Sequence, residues 1–290
     1  MPKGTIIKAD SGFYYIYTEG QILEGKIRGK AKSEYGRPYP GDQVEYQPMG
    51  AGAAIIEKIQ PRHSLLQRPL IANGDQLLIV MSLSFPLLDY HVLDRLLIQA
   101  VYGGISPVLI MNKGDEEDGE LLAMLQKGYP FPLYRISALT GEGIETVKTL
   151  LKDRFSILAG PSGVGKTSIL KAMDSRILSA TGNLGEKLQR GRHTTRTTRF
   201  FEIAGGMLAD TPGFSRVDLP EAMKPEELKE CYPEYGPYRQ LCRFKGCLHE
   251  NEEECGVKEA VHRGLLDPGR YERYRYFLQE LKEKEERRYK

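Results

Sequence analysis

No run of apolar residues in this 290-residue chain approaches the roughly 18 needed for a membrane-spanning helix. The N-terminus also lacks an apolar stretch followed by a small-residue cleavage site, so no export signal is expected and the cytoplasm is the expected compartment. Charge of one sign is missing as well: 41 lysines and arginines face 39 aspartates and glutamates, a formal net charge of +2. That balance excludes a basic coat gripping nucleic acid along the whole chain. Cysteine is absent before Cys231, and Cys231, Cys242, Cys247 and Cys255 then crowd together. A secreted disulfide scaffold would spread its cysteines, so the crowding points to a metal in a reducing compartment. Internal repeats and low-complexity tracts are absent too.

What is present falls into three compositions. Residues 1–62 carry short runs of alternating apolar and polar positions, broken by turn signals such as Ser11-Gly12 and Pro40-Gly41-Asp42. About five short strands in so brief a stretch suit a small β-barrel of the oligonucleotide-binding type, the OB-fold. Its basic run Lys26–Lys32 leads into the longest break between strands, where such a barrel would present a contact loop; a solvated loop is the competing reading. Across residues 63–220 the grammar changes. Gln76–Ser82 and Pro107–Met111 are near-continuous apolar runs, as parallel strands buried on both faces require, and Leu87–Val101 between them is apolar at helical spacing. This β-α-β unit repeats through Leu133–Ile136, Ile144–Leu151, Ser156–Leu158 and a helix after Lys166, which predicts a doubly wound α/β domain. Residues 221–290 read as a mainly helical domain holding the cysteines. It ends in a charged segment, Arg270–Lys290, expected to be a solvated packing helix.

Three constellations carry chemistry. Gly160-Pro161-Ser162-Gly163-Val164-Gly165-Lys166-Thr167 follows an apolar strand and opens a helix, the context a phosphate loop needs. Backbone N–H groups of such a loop curl around phosphate, and the first helical turn with Ser168 adds partial positive charge. Lys166 can reach the β and γ oxygens, and the Thr167 hydroxyl can ligate Mg²⁺. Downstream, Asp210 closes an apolar run and begins Asp210-Thr211-Pro212-Gly213. An acid at a strand end can hold Mg²⁺ through water while the Gly213 N–H senses a γ-phosphate.

Upstream, Asn112-Lys113-Gly114-Asp115 and Ser137-Ala138 each directly follow an apolar strand. The Asp115 carboxylate can accept both guanine N1–H and N2–H, donors that adenine does not present together, and the Ala138 N–H can donate to guanine O6. The third constellation is Cys242, Cys247, His249 and Cys255, three thiolates and an imidazole that form a closed tetrahedral Zn²⁺ set. Its metal would be structural, holding together a segment with little core of its own, and Cys231 is left without a role.

Guanine-binding GTPases normally carry phosphate loop, switch I, D-x-x-G, N-K-x-D and S-A in that order, whereas here N-K-G-D and S-A come first. With the N-terminal barrel and the Cys-x4-Cys-x-His-x5-Cys pattern, this permuted order closely resembles the RsgA (YjeQ/YloQ) family of small ribosomal subunit biogenesis GTPases, over essentially the whole chain. The resemblance implies a circularly permuted GTPase, stimulated by the 30S subunit late in its maturation, that binds GTP/GDP and 16S rRNA. A monomer is expected. Gly191–Arg196 is similar to the family's switch I, in which a threonine completes Mg²⁺ coordination, and Thr195 is preferred to Thr194. Lys187–Phe201 holds Lys187, Arg190, Arg192, Arg196 and Arg199 and no acid, a charge able to meet the nucleotide or rRNA phosphates.

Many small GTPases place a water-orienting glutamine just after D-x-x-G, but Phe214 stands there and cannot hydrogen-bond a water. Slow hydrolysis without the ribosome is therefore expected, with His193 as the candidate water-positioning or base residue. On residues alone two other classes stay open: a small-molecule phosphotransferase, and a binding protein whose nucleotide is never turned over. Because Ser215–Pro220 runs from D-T-P-G almost straight into the cysteine segment, nucleotide state is expected to alter that segment's placement.

Overall fold

The computed structural model describes residues 1–116, 119–175, 198–212 and 217–288. Strands β1 (Lys3–Asp10), β2 (Phe13–Thr18) and β3 (Gln21–Ile27), helix α1 (Gly29–Tyr35), then β4 (Gln43–Gly50) and β5 (Ala53–Ile59) close a barrel in the order β1-β2-β3-β5-β4. Period-two alternation turns Ile6, Tyr14, Ile16, Val44, Tyr46 and Ile56 into its core. The basic run is not a loop. Lys26 and Ile27 finish β3 and Gly29 begins α1, where Ala31 packs inward and leaves Lys30 and Lys32 exposed. Its Lys30-Ala31-Lys32-Ser33-Glu34 contains no β-branched residue, which favours a helical turn over a coil. Lys26 lies over the Phe13 ring at 4.7 Å, and Arg28 pairs with Glu57 at 2.9 Å.

A hairpin, β6 (Leu65–Gln67) with β7 (Leu70–Ala72), joins the barrel to the next sheet. Gly41, at φ +90°, lies against it: a Cβ there would stand 2.0 Å from the Ala72 carbonyl oxygen, so a side chain is excluded. The neighbouring Asp42 is fully buried and accepts from Arg62 Nε and Nη2 at 2.7 and 2.8 Å.

The central sheet contains β8 (Gln76–Ser82), β9 (Ser106–Asn112), β10 (Leu133–Arg135), β11 (Phe155–Ala159), β12 (Arg199–Ile203) and β13 (Gly206–Asp210), in the order β10-β9-β8-β11-β13-β12. Its helices are α2 (Tyr90–Tyr102), α3 (Glu120–Gly128), α4 (Ile144–Leu151) and α5 (Lys166–Met173). Alternation within β8 shows why both faces are apolar: Leu77, Ile79 and Met81 join α2 and α3 residues in one core, while Leu78 and Val80 join α4 and α5 residues in the other. Edge strand β12 pairs antiparallel with β13, so the sheet is mixed. The basic stretch read through Phe201 therefore ends inside a strand, whose Phe200 and Phe201 are each 2% exposed on opposite faces. The barrel's Tyr15, Tyr17 and Ile22 pack onto the first core, and the Tyr17 hydroxyl donates to Glu202 of β12.

The C-terminal part contains 3-10 turns at Pro225–Cys231 and Pro233–Tyr235, then α6 (Gly236–Arg239), α7 (Gly256–His262) and α8 (Pro268–Arg288). Two expectations are corrected here. This part has a core of its own, with Leu228, Tyr232, Tyr235, Val257, Tyr274, Phe277, Leu278 and Leu281 buried together with Ile98 of α2. And α8 packs more deeply than its charge suggests: Tyr274, Phe277, Leu278 and Leu281 form a buried stripe at helical spacing, opposite an exposed charged face. Cys231 is buried against α2, its Sγ 3.8 Å from the Ile98 carbonyl oxygen, and burial pushes its thiol up to about 12. Packing is the role the structure gives it. Among the described residues no helix is long and apolar enough to cross a membrane.

Candidate functional site

Parallel pairing puts the C-terminal ends of β8, β9, β10, β11 and β13 along one edge, where such sheets bind ligands. Asn112 ends β9, Ser137-Ala138 follows β10, the Gly160–Thr167 loop follows β11, and Asp210 ends β13. A cleft of about 500 Å³ opens there, lined by Asn112, Lys113, Asp115, Ala138, Gly165 and Ser168, with Leu139 and Lys171 as walls missed in the sequence. Buried Asn112 ties the parts together. Its Nδ2 donates to the Val164 carbonyl at 2.9 Å and its Oδ1 accepts from the Ala138 N–H at 3.0 Å. Gly165, at φ +96°, leaves room for that amide, because a Cβ would stand 2.2 Å from Asn112 Nδ2. Val164 itself is buried in the core beneath the loop.

The Ala138 N–H, expected to serve guanine O6, is engaged by Asn112 Oδ1 in this structure. Ala138 contributes to the cleft as a wall and as a link between loops. Ser137, fully buried, shapes its loop by accepting from the Thr140 N–H at 3.1 Å. Arg135, which nothing local in the sequence marked, brackets both loops through Glu142 at 2.5 Å and the Gly114 carbonyl. Gly114 N–H donates to the Ile136 carbonyl at 2.9 Å, so the backbone carrying Asp115 is fixed from two sides. Lys113 has φ +63° and its Nζ donates to the Phe85 carbonyl.

At the phosphate end, Lys166 Nζ donates to the carbonyls of Gly160 and Pro161 at 2.7 and 2.8 Å. Burial lowers its pKa, and Asp210 opposes that shift. Burial likewise pushes Asp210 up to about 6, with Lys166 and Arg199 pulling the other way. Asp210 Oδ1 is buried with no hydrogen-bond partner among the described residues, although Thr211 beside it is pinned by its Oγ1 donating to the Leu158 carbonyl at 2.8 Å. Asp210 interacts with Lys166, the residue before the exposed Thr167, so a carboxylate oxygen and a hydroxyl stand at the same end of the sheet, a donor set that fits Mg²⁺. A pH test follows. A native pKa above the unfolded value means the native state holds the proton more tightly, so Asp210 penalises folding at pH 7 and the penalty fades as pH falls through 6 toward 4. Without Mg²⁺ and nucleotide, Asp210→Asn is expected to gain about 1–2 kcal/mol at pH 7.5, a discounted linkage value for a partly solvated group, and nothing near pH 4, read by denaturant titration.

The second cluster is in the C-terminal part. Cys242 Sγ, Cys247 Sγ, Cys255 Sγ and a His249 ring nitrogen lie within 4.8 Å of one another. Tetrahedral Zn²⁺ with Zn–S near 2.3 Å and Zn–N near 2.0 Å requires S···S of about 3.8 Å and S···N of about 3.5 Å. Cys242 Sγ and Cys255 Sγ are 3.9 Å apart, and His249 Nδ1 stands 3.6 and 3.4 Å from them, so the set fits. Burial holds His249 down at about 4, with Lys229 and Arg239 adding to it, which leaves the neutral imidazole a metal needs. Two tyrosines of α8 grip the same loop, Tyr271 donating to the His249 carbonyl at 2.7 Å and Tyr274 to that of Leu248 at 2.6 Å. One zinc per chain is expected by elemental analysis and none in Cys247→Ser. Because this part has its own core, the variant should lose hydrogen-exchange protection over residues 242–255 and keep it in α8.

Gly213, His193, Thr195 and its alternative Thr194, and Phe214 lie outside the described residues.

Comparison with known proteins fits this geometry. The RsgA GTPase family model matches residues 59–220, and the RsgA N-terminal domain model matches residues 3–56. The small ribosomal subunit biogenesis GTPase RsgA of Caldanaerobacter subterraneus subsp. tengcongensis is 42% identical, covering 99% of this chain and 98% of its own. That of Moorella thermoacetica is 42% identical, covering 96% and 97%. Among solved structures, YjeQ from Thermotoga maritima superposes with a TM-score of 0.82 at 34% identity, over 97% of this chain and 98% of that one. YloQ, described as a circularly permuted GTPase, gives 0.79 at 32% identity, over 98% and 96%.

Proposed function

The chain belongs to the RsgA family of small ribosomal subunit biogenesis GTPases, and from that premise we propose that it hydrolyses GTP slowly alone and faster on the 30S subunit, late in that subunit's maturation. The observation that carries the reading is the Asn112 amide, which clasps the phosphate loop at Val164 and the base loop at Ala138 although the two motifs stand in permuted order.

Asp115 accepts guanine N1–H and N2–H, while adenine offers an acceptor at N1 and no amino group at C2, so the carboxylate repels it. The backbone N–H groups of residues 162–168 and the Lys166 ammonium take the charge of the β and γ phosphates. Thr167 and Asp210, with Thr195, would hold Mg²⁺, which supplies further neutralisation of those oxygens. Gly213 reads the γ-phosphate, and His193 positions or deprotonates the attacking water when the ribosome orders the site, since Phe214 cannot. The zinc is structural. Lys30 and Lys32 of the barrel, the basic switch segment and the zinc module face 16S rRNA, and the protein acts as a cytoplasmic monomer.

Cosedimentation with purified 30S subunits tests the partner: the chain should pellet with them when loaded with a non-hydrolysable GTP analogue and weaken with GDP. Retention that ignores the nucleotide would favour a plain binding protein. Preference for ATP over GTP in equilibrium titration would favour a phosphotransferase.

A further inference from the structure

We propose that the zinc module carries a docking groove for a basic protein segment of the 30S subunit, distinct from any surface it offers to rRNA. The proposal rests on the ribosomal reading above. Between α7 and the turn after α6 lies an open groove of about 650 Å³. Leu241 and Leu265 stand in it 71% and 54% exposed, too open for core residues and close enough to serve one apolar anchor. Its walls are fixed at the backbone: a Cβ on Gly256 would stand 2.3 Å from the Tyr238 carbonyl oxygen and 2.7 Å from Leu241 Cβ.

The rim decides the partner. Glu253 and Glu259 line it against Lys258 and Arg263, with Glu252 and Glu254 beside them already engaged, Glu252 by the Leu248 and Glu250 N–H groups and Glu254 by Arg243. The Lys258 ammonium is already held by the Glu252 carbonyl at 3.0 Å, whereas Glu253 and Glu259 are exposed and hold no ion pair among the described residues. A phosphodiester backbone is repelled by this rim, and nothing in it matches exposed leucines. A polypeptide with Lys or Arg flanking an apolar side chain satisfies both. The module has a separate cleft lined by Lys229, Arg239, Lys245 and a half-exposed Phe244, in which Lys229 is held by the Cys247 carbonyl and Arg239 by Glu230.

The test places a photo-crosslinking benzoylphenylalanine at position 265, and separately at 241, in the full zinc-loaded chain bound to purified 30S subunits with a GTP analogue. Crosslinks to a Lys- or Arg-rich segment of a ribosomal protein are expected, and their yield should fall about tenfold in the double variant Glu253→Lys/Glu259→Lys. Both glutamates are exposed, so the variant should fold and cosediment. Cosedimentation with crosslinks to rRNA only, to a second copy of the chain, to no protein, or undiminished by the charge reversal overturns the inference alone. Failure of the parent chain to cosediment overturns the ribosomal reading together with it.

Discussion

Replacing Asp115 by asparagine is expected to lower GTP affinity by about three orders of magnitude and to transfer preference to xanthosine triphosphate. The carboxylate offers two acceptor oxygens to the two donors on one edge of guanine. Asparagine offers one acceptor and one N–H₂, so a donor is set against guanine N2–H; xanthine carries a carbonyl at C2 and accepts that donor instead. The change should leave the loop in place. Gly114 is held through the Ile136 carbonyl and Arg135, and Asp115 itself is exposed at the cleft wall. Competition between fluorescent guanine and xanthine nucleotides measures the switch. Equal loss of both would mean that Asp115 shapes the loop and does not read the base.

Asp94→Ala is the second large effect, on stability and without contact to the nucleotide cleft. Asp94 is fully buried on α2 and accepts from Arg270 Nη1 at 2.6 Å and Arg273 Nε at 2.5 Å, both from α8. Arg270 is 2% exposed, pairs also with Glu234, and has the Tyr129 and Tyr232 rings 4.5 and 4.6 Å from its guanidinium carbon. Truncation leaves Arg270 with Glu234 alone and Arg273 with no carboxylate among the described residues, at a cost of about 3–5 kcal/mol. The chain has no tryptophan, so a single tryptophan introduced in the C-terminal part reports its unfolding cleanly. Adding Arg273→Met to Asp94→Ala should recover part of the loss, because an apolar side chain of similar volume replaces the charge left without a carboxylate. The network also constrains signalling. A nucleotide-dependent shift of the zinc module must travel with α2 or break these bonds, while the barrel is joined to β12 through Tyr17 and Glu202.

Where a pattern is local, the sequence was readable. The phosphate loop, the apolar β8 and β9, the barrel strands and the cysteine spacing each lie within a few residues, and the structure puts them where that pattern implies. The permuted motif order was legible for the same reason. Pairings made at long range were not: Asp94 and Arg270 are 176 residues apart, and each alone looks like a surface charge. Arg135 is likewise unremarkable until β10 carries it to Gly114. Strand β12 was hidden because its pattern of two adjacent phenylalanines matches a strand buried on both faces and sits beside a basic run. In α8, an average over many charges masked the buried stripe. The link from the Ala138 N–H to the Asn112 side chain was not legible, because the two residues follow different strands.

Single-turnover GTP hydrolysis by the full chain, with and without purified 30S subunits, tests the central claim most directly. GDP should form slowly from the isolated protein and at least ~100-fold faster, saturably, with subunits present, while ATP is left intact. A rate that the subunits do not change, or ATP turned over as readily as GTP, would contradict the account.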